Sequence, residues 1–307
     1  MTGRSGDGIA QSVKQRLLNL CEQRGDVFNV VLAQFAIERL LYRLTQSRHA
    51  NGFILKGATL FAVWAQRPHR PTQDLDLLGF GSPSAERVAG VFRDLCEITV
   101  VPDGLTLDAS SVTVEPIRKD AIYDGLRVRL VARLGSARIP MQVDVGFGDV
   151  VSPGPRELTL VGLLDLPAPK LRTYPPETVI AEKLHAIITL GMANSRLKDY
   201  FDLWVISRTM SFNFSELRAA VLATAERRGT AIPVVLPVGL SDDFGTDRAK
   251  GLQWTAFNRK VGGKDGTPKL VEVLAALRKF LVPLLQTQTV NSGSWNPGGP
   301  WSLTNSA

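Results

Sequence analysis

Two aspartates, Asp74 and Asp76, stand one residue apart in the segment DLDLLGF (74–80), where they alternate with leucines. Aspartate is a poor strand former, and neighbouring carboxylates repel each other, so the pair needs a physical reason. Side chains on a strand alternate between its faces, so both carboxylates point one way while Leu75 and Leu77 point into the core. Their Cα atoms are then about 7 Å apart, which suits two ligands of one divalent cation.

A third carboxylate is expected from the segment MQVDVGFG (141–148). Val143 and Val145 share one face of this predicted strand, and Asp144 lies on the other, next to small glycines that leave room for a ligand. Mg²⁺ prefers such hard oxygen ligands and keeps positions for water and substrate phosphates. Metal ions held in this way activate an attacking hydroxyl and stabilise a leaving pyrophosphate. The alternative is that these aspartates cap turns or pair with surface arginines.

The segment FILKGATLFAVWA (53–65) predicts a short buried strand, a glycine turn and a helix. Lys56 and Gly57 lie on that turn, 18 residues before Asp74. A turn that opens a helix presents free backbone N–H groups and the positive end of the helix dipole, which favour phosphate. Lys56 adds a full charge there, and Thr59 adds a hydroxyl. The alternative for Lys56 is a solvated strand end.

Two helices are predicted in the second half of the chain, ETVIAEKLHAIITLG and RLKDYFDLWVISR. Arg196, Asp199 and Asp202 follow one another at intervals of three residues, so they share a helix face. Together with Lys183 of the preceding helix, they could hold a triphosphate and orient a nucleotide. An interhelical salt bridge is the alternative for Lys183 and the two aspartates.

The chain divides into an α/β half and a helical half. Residues 1–175 are predicted to form an α/β domain with leading helices, ending in a Pro-rich connector. Residues 176–290 are predicted to form a helical C-terminal domain. Residues 291–307 are rich in Gly, Pro, Ser and Asn, which predicts a disordered tail.

The charge and composition of the chain indicate what kind of partner it binds and where in the cell it is expected. Lys and Arg exceed Asp and Glu by 36 to 29, giving a net charge of +7, which fits a nucleic-acid partner. Arg127 and Arg129 share one strand face, with Arg133 four residues on; this is either a stripe that tracks RNA or an exposed strand face. The sequence shows no signal peptide, no membrane span, no Walker loop and only two cysteines, so we expect a cytoplasmic location.

The motifs together resemble those of a known family. FILKGATLF, RPTQDLDLLGFG, QVDVGFGD and VIAEKLHAIITLGMANSRLKDYFDL are similar to segments of the AbiEii/AbiGii nucleotidyltransferase-like toxins, which include the mycobacterial MenT toxins. The resemblance spans roughly residues 10–285. It implies an N-terminal α/β domain with a mixed sheet, like that of DNA polymerase β-type nucleotidyltransferases, and a helical C-terminal domain. The broader superfamily typically has Gly-Ser at the phosphate turn, where this chain has Lys-Gly.

The resemblance also implies an activity and its residues. Relatives are toxins of bacterial toxin–antitoxin or phage-defence systems that use an NTP and Mg²⁺, and some add nucleotides to the tRNA 3′ end. The expected partners are therefore an NTP, an RNA and a separately encoded antitoxin, and we expect a monomer. The catalytic and metal-binding acids are Asp74, Asp76 and Asp144. The expected nucleotide-binding residues include Thr59 and four residues of the two C-terminal helices. The full set is Lys56, Gly57, Thr59, Arg70, Thr72, Lys183, Arg196, Asp199 and Asp202.

Two other functions stay open at this point. The chain could be a catalytically inactive nucleotide-binding regulator, although an idle site has no reason to bear the mutual repulsion of three acids. It could also be a metal-dependent phosphohydrolase, which needs no polynucleotide acceptor.

Overall fold

The computed structural model describes residues 3–64, 74–117, 125–261, 268–286 and 290–305. The chain forms two compact units. The first comprises residues 1–149 and 156–174, and the second comprises residues 150–155 and 175–307. The division at Pro175 lies beside the boundary predicted at the end of the Pro-rich connector.

The first unit combines helices with one large sheet. Its helices are α1 (Gly3–Arg24), α2 (Phe28–Gln46), α3 (Thr59–Trp64) and α4 (Ala85–Glu97). Its strands are β1 (Phe53–Lys56), β2 (Asp74–Gly79), β3 (Leu105–Pro116), β4 (Gly125–Leu134), β5 (Ala137–Phe147), β6 (Arg156–Thr159) and β7 (Lys170–Thr173).

The strands form a seven-stranded mixed sheet in the order β3-β4-β5-β2-β1-β7-β6, which confirms the predicted α/β class. β2 runs parallel to β5 and β1 runs parallel to β7, whereas the other neighbours are antiparallel. One face of the central strands is apolar and at most 1% exposed at Leu55, Leu75, Leu77, Val143 and Val145. Phe53 on this face meets Phe92 of α4 edge-on, with 6.4 Å between ring centroids. The period of two along each strand therefore leaves the polar residues together on the opposite face.

The sequence of α4 explains why a helix covers the apolar face. Ser84 caps its first turn by accepting a hydrogen bond from the backbone N–H of Arg87 at 3.4 Å. Apolar residues then recur at helical spacing and are buried, at Val88, Val91, Phe92 and Leu95. This stripe packs against the sheet and leaves the charged side of the helix outside.

The end of the first unit contains two strands that the sequence pattern did not predict, β6 before the Pro-rich connector and β7 within it. β6 and β7 pair with each other, and β7 also lies beside β1 through Leu55 and Thr173. The backbone N–H of Tyr174 donates to the carbonyl of Leu55 at 2.9 Å. The short strand β1, which ends at Lys56, is therefore held between neighbours on both sides.

The second unit is mainly helical, as predicted, but it also contains a small sheet. Its helices are α5 (Pro176–Leu190), α6 (Leu197–Thr209), α7 (Phe214–Arg227), α8 (Asp242–Thr246), α9 (Arg248–Val261) and α10 (Leu270–Leu285). Its strands are β8 (Phe212–Asn213), β9 (Val290–Trp295) and β10 (Trp301–Asn305), in the order β10-β9-β8. In the parts of both units that the structure describes, no helix is long and apolar enough to cross a membrane.

The C-terminal segment forms an antiparallel hairpin, so the prediction of a disordered tail over 291–307 is wrong for the described residues 291–305. Trp295 is only 3% exposed, and its indole N–H donates to the carbonyl of Ser207 at 2.7 Å. The indole N–H of Trp301 donates to the carbonyl of Phe280 at 2.9 Å, and the two rings stack. A buried and a half-buried tryptophan, each with its indole N–H satisfied, outweigh the polar composition around them.

We expect Trp295→Ala to lower the free energy of unfolding of the second unit by about 3–5 kcal/mol, because it removes a buried ring that packs on Phe280. Trp295→Phe serves as the control and should lose much less, since it keeps an aromatic ring and gives up the bond to Ser207. Urea unfolding followed by circular dichroism measures both. Equal stability of Trp295→Ala and the wild type would mean that the hairpin contributes nothing to the fold.

Candidate active site

The polar face of the sheet carries a row of charged residues that crosses four strands. Lys56 of β1 pairs in register with Asp76 of β2. Asp76 pairs in register with Asp144 of β5, and Asp144 pairs with Arg127 of β4. Residues in register on neighbouring strands share a face, with about 4.8 Å between the strands. The row therefore places two adjacent acids between two cations.

A second row lies two residues away along the same face. Asp74 of β2 pairs in register with Gln142 of β5, whose side-chain amide donates to Asp74 Oδ1 at 3.2 Å. Asp74 is exposed, whereas Asp76 and Asp144 are partly buried. The three acids predicted as metal ligands thus lie on one face of adjacent parallel strands, and their role as ligands stays a prediction.

Asp144 forms a two-pronged ion pair with Arg127. Arg127 donates from Nε to Asp144 Oδ1 and from Nη2 to Oδ2, each at 2.8 Å. These hydrogen bonds, together with attraction to Asp144, Asp74 and Glu115, raise the pKa of Arg127 against the opposing effect of burial. Arg129, one row away, is instead paired with Glu115 at 2.5 Å. Arg127 and Arg129 therefore have acidic partners, and the suggestion that they form an RNA-tracking stripe gains no support from these contacts.

The donor set of the polar face fits a divalent cation in chemistry and in register, because three carboxylates supply hard oxygen ligands. In the described part of the chain, however, no three His, Cys, Asp or Glu side chains are gathered closely enough to hold one ion. Both oxygens of Asp144 face Arg127 on β4. A shared ion with Asp76 on β2 would require this carboxylate to turn.

The Lys-Gly turn is built against Asp76. Gly57 has a φ of +75°, and a Cβ at this position would overlap the Asp76 carboxylate. Only glycine meets both conditions, because it tolerates positive φ and has no side chain. Thr59 begins α3, and its Oγ1 is buried with no hydrogen-bond partner among the described residues. The turn thus brings the backbone at Gly57 close to the Asp76 carboxylate.

Asp149 is a member of this polar face that the sequence pattern did not identify. Lys56 Nζ lies 2.7 Å from Asp149 Oδ2, and the two side chains are 16% and 9% exposed. The lysine passes over Gly146, where a Cβ would lie 3.1 Å from its Nζ. The glycines of the segment GFGD (146–149) were the available signal, since small residues before an acid permit this close approach. Lys56 is therefore held by a partner rather than being a solvated strand end.

Two predicted nucleotide-binding residues, Arg70 and Thr72, lie outside the described residues. Their contribution to the site stays a prediction from the sequence.

The second unit contains a buried ion cluster between α5 and α6. Lys183 of α5 donates to Asp199 at 2.5 Å and to Asp202 at 2.9 Å, and both carboxylates are fully buried. Arg196 stands at the N-cap of α6, with its Nε 2.7 Å from Asp199 Oδ2 and its side chain 46% exposed. The structure thus brings the four predicted residues together.

The electrostatics of this cluster favour a charged lysine. Burial alone would lower the pKa of Lys183, but Asp199 and Asp202 outweigh that effect, and the pKa is raised. The side chains form the interhelical salt bridge that the sequence left open as the alternative. A role of these residues in nucleotide binding is not tested by this geometry and stays a prediction.

Comparison with known proteins identifies the family. Residues 39–276 match the family model described as nucleotidyl transferase AbiEii toxin, type IV toxin–antitoxin system. The chain belongs to this family. The AbiEii match runs from within α2 to within α10 and so includes the acidic strands and the Lys183 cluster. It confirms the resemblance seen in the motifs and the assignment of the chain as a nucleotidyltransferase.

Two crystal structures from Helicobacter pylori are similar to this AbiEii protein. One is of a proposed nucleotidyltransferase, with 13% identity and a TM-score of 0.43, covering 83% of this chain and 97% of that one. The other is of JHP933, with 12% identity and a TM-score of 0.40, covering 84% and 98%. Among curated proteins, no sequence matches the chain.

We expect Gly57→Ala to reduce transferase turnover by about a hundredfold, since a displacement of about 1 Å in reacting groups has that effect. The added Cβ must push the Asp76 carboxylate aside. Gly25→Ala is the matched control, because Gly25 has a similar φ of +69° but no atom within 4 Å of the place that the added methyl group would take. It should lose about 1–2 kcal/mol of stability, the cost of an L-residue at positive φ, and keep its turnover. Equal turnover of the two variants would show that the approach to Asp76 is unimportant.

We expect Lys183→Met to lower the free energy of unfolding by about 3–5 kcal/mol, because it leaves two buried carboxylates without their cation. The raised pKa means that the contribution of Lys183 is complete below the ordinary lysine pKa of 10.5 and is lost as the pH rises through the higher folded value. The loss on mutation should therefore be constant across neutral pH. Lys198→Met, at an exposed lysine of the same region, is the control. Equal stabilities of the two variants in urea denaturation would contradict the claim that Lys183 stabilises the buried Asp199 and Asp202.

Proposed function

We propose that this AbiEii nucleotidyltransferase is Mg²⁺-dependent and transfers an NMP from an NTP to an RNA acceptor, the 3′ end of tRNA. The acceptor hydroxyl attacks the α-phosphate, and the bond to the β-phosphate breaks with release of pyrophosphate. The observation that carries the proposal is the charged row, in which Asp76 and Asp144 lie in register on adjacent parallel strands with Asp74 on the same face. Adjacent acids repel each other, and a dication between them removes that repulsion while giving the site a catalytic use.

The acidic residues have distinct parts in this proposal. Asp74 and Asp76 would hold the metal, and Asp144, once turned away from Arg127, would be the third ligand and accept the proton of the acceptor hydroxyl. A bound Mg²⁺ neutralises charge on the phosphates and lowers the pKa of the attacking hydroxyl. Lys56 and the hydroxyl of Thr59 lie at the turn beside Asp76 and bind the phosphates of the NTP.

The residues of the ion cluster in the second unit have two different roles in this proposal, phosphate binding and positioning. Lys183 is neutralised by two buried carboxylates, so its charge is largely used within the protein. Arg196 has a half-exposed guanidinium, which can still donate to a phosphate. We therefore propose that Arg196 is the member of the cluster whose charge is available to a phosphate, while Asp199 orients Arg196 and Lys183 and Asp202 hold Asp199 in place.

RNA as the acceptor is supported by the charge of the chain. The net charge of +7 favours a polyanion, because phosphate contacts by Lys and Arg release counterions. An acceptor of this kind places the activity in the bacterial cytoplasm, where tRNA is charged and used. As a member of a toxin family, the protein is proposed to have a cognate antitoxin encoded separately.

The test is incubation of the protein with total RNA and each α-labelled NTP in turn. Wild-type protein should label one RNA class with one preferred NTP, and Asp76→Asn should reduce labelling by about 10³-fold or more, as expected for the loss of a group that stabilises the transition state. Asp94→Asn is the matched control, since Asp94 lies on α4 and pairs with Arg48 and His49. It should label RNA as the wild type does.

Three other results would overturn the proposal. Triphosphate consumed without label in RNA would indicate a phosphohydrolase. NTP bound tightly without turnover would indicate a nucleotide-binding regulator. If Asp76→Asn labels RNA as strongly as the wild type, Asp76 and the neighbouring acids are not needed for the transfer.

A further inference from the structure

The orientation of the Asp144 carboxylate is set by a residue that the proposed chemistry does not use. β5 lies between β4 and β2 in the sheet, so Asp144 has Arg127 on one side and Asp76 on the other. Its carboxylate is turned towards Arg127, with both oxygens accepting from the guanidinium at 2.8 Å. Arg127 thus occupies the side of Asp144 opposite to the acid with which it would share an ion.

The strength of this contact follows from its geometry. A guanidinium fork that meets a carboxylate with two parallel hydrogen bonds is among the strongest polar contacts in proteins. The pair is also partly shielded from water, with Arg127 27% and Asp144 15% exposed. A carboxylate that faces such a fork has its most accessible lone pairs occupied, and it can chelate nothing else from that side.

The surroundings of Arg127 offer it a second acceptor. Glu115 of β3 pairs in register with Arg127 on the side away from Asp144, and it already accepts a hydrogen bond from Arg129 at 2.5 Å. Its carboxylate has a second oxygen, so Arg127 could leave Asp144 without becoming an isolated charge. Each strand beside β4 thus carries a carboxylate next to Arg127, and the one on β3 would be shared with Arg129.

We propose that Arg127 is a positioning residue that holds Asp144 turned away from Asp76. It thereby weakens the binding of a divalent cation by Asp74, Asp76 and Asp144. The inference rests on the proposed function, because it takes the row as the metal site. In this account the metal-free protein is kept charge-balanced by Arg127, and Asp144 joins Asp74 and Asp76 only after the Arg127 contact has opened. Metal affinity is then set by competition between the guanidinium and the cation.

The test compares the affinity for Mn²⁺ in the full-length protein without NTP, measured by calorimetry and by the electron paramagnetic resonance signal of bound Mn²⁺. Arg127→Gln should bind Mn²⁺ about tenfold more tightly than the wild type, since one charge-assisted contact to Asp144 no longer competes. Arg133→Gln is the matched control. It removes the same charge from the same face of the same strand, but Arg133 pairs in register with Thr106 and Arg138 rather than with an acid of the site. Its affinity should stay within about twofold of the wild type, because only long-range attraction changes.

A second variant separates the competing contact from the loss of charge. Arg127→Lys keeps the charge but loses the two-pronged fork, and it should bind Mn²⁺ with an intermediate affinity. Circular dichroism establishes that each variant is folded. Equal gains in Arg127→Gln and Arg133→Gln, or weaker binding in Arg127→Gln, would overturn the inference.

The outcomes distinguish this inference from the proposed function. If wild-type binding of Mn²⁺ is lost in Asp76→Asn but unchanged in Arg127→Gln, the metal site stands and the role of Arg127 fails. If Arg127→Gln binds more tightly and no RNA is labelled by any NTP, the role of Arg127 stands and the transfer to RNA fails. Binding of Mn²⁺ that is independent of Asp76, or absent from every variant, overturns both.

Discussion

The parallel pairing of β2 with β5 is the constraint on which the site depends. It sets Asp76 directly beside Asp144 and continues into a row in which two cations flank two acids across the sheet. Because side chains alternate along a strand, a slip of one residue would move every acid of β2 to the apolar face. The leucines and valines packed beneath the row therefore fix the register that brings the acids together. Packing on one face of the sheet determines the chemistry on the other.

The polar face is stabilised by contacts that also shape it for a ligand. Two like charges in register are unfavourable, and Lys56 and Arg127 on the flanking strands offset them. Glycines let these long side chains and the turn approach closely, at Gly57 beside Asp76 and at Gly146 beneath Lys56. The protein thus holds the acids in a balanced arrangement before any substrate is bound. Membership of the AbiEii nucleotidyltransferase family accords with a site of this kind.

The sequence was sufficient to predict where the acids of the site lie, but not which side chains pair with them. Asp74, Asp76 and Asp144 could be placed on one face because strand alternation is a local property. The partners of Asp144 and Lys56 depend on which strands become neighbours, and a local pattern does not encode that. Asp149 was missed although the glycines before it were a local signal. Arg127 was left as either an RNA-tracking stripe or an exposed strand face, and its pairing with Asp144 corresponds to the alternative that the aspartates pair with surface arginines. The C-terminal hairpin was missed because its stability comes from tryptophans packing on α10, whose sequence gives no sign of that contact.

The most direct test of the central claim is anomalous diffraction from crystals grown with Mn²⁺ and a non-hydrolysable NTP analogue. The account predicts a manganese peak on the polar face of the sheet, bound by Asp74, Asp76 and Asp144, with the Arg127 contact to Asp144 opened and the triphosphate against the Lys56 turn. A manganese peak elsewhere, with Asp144 still paired to Arg127 while the analogue is bound, would contradict it.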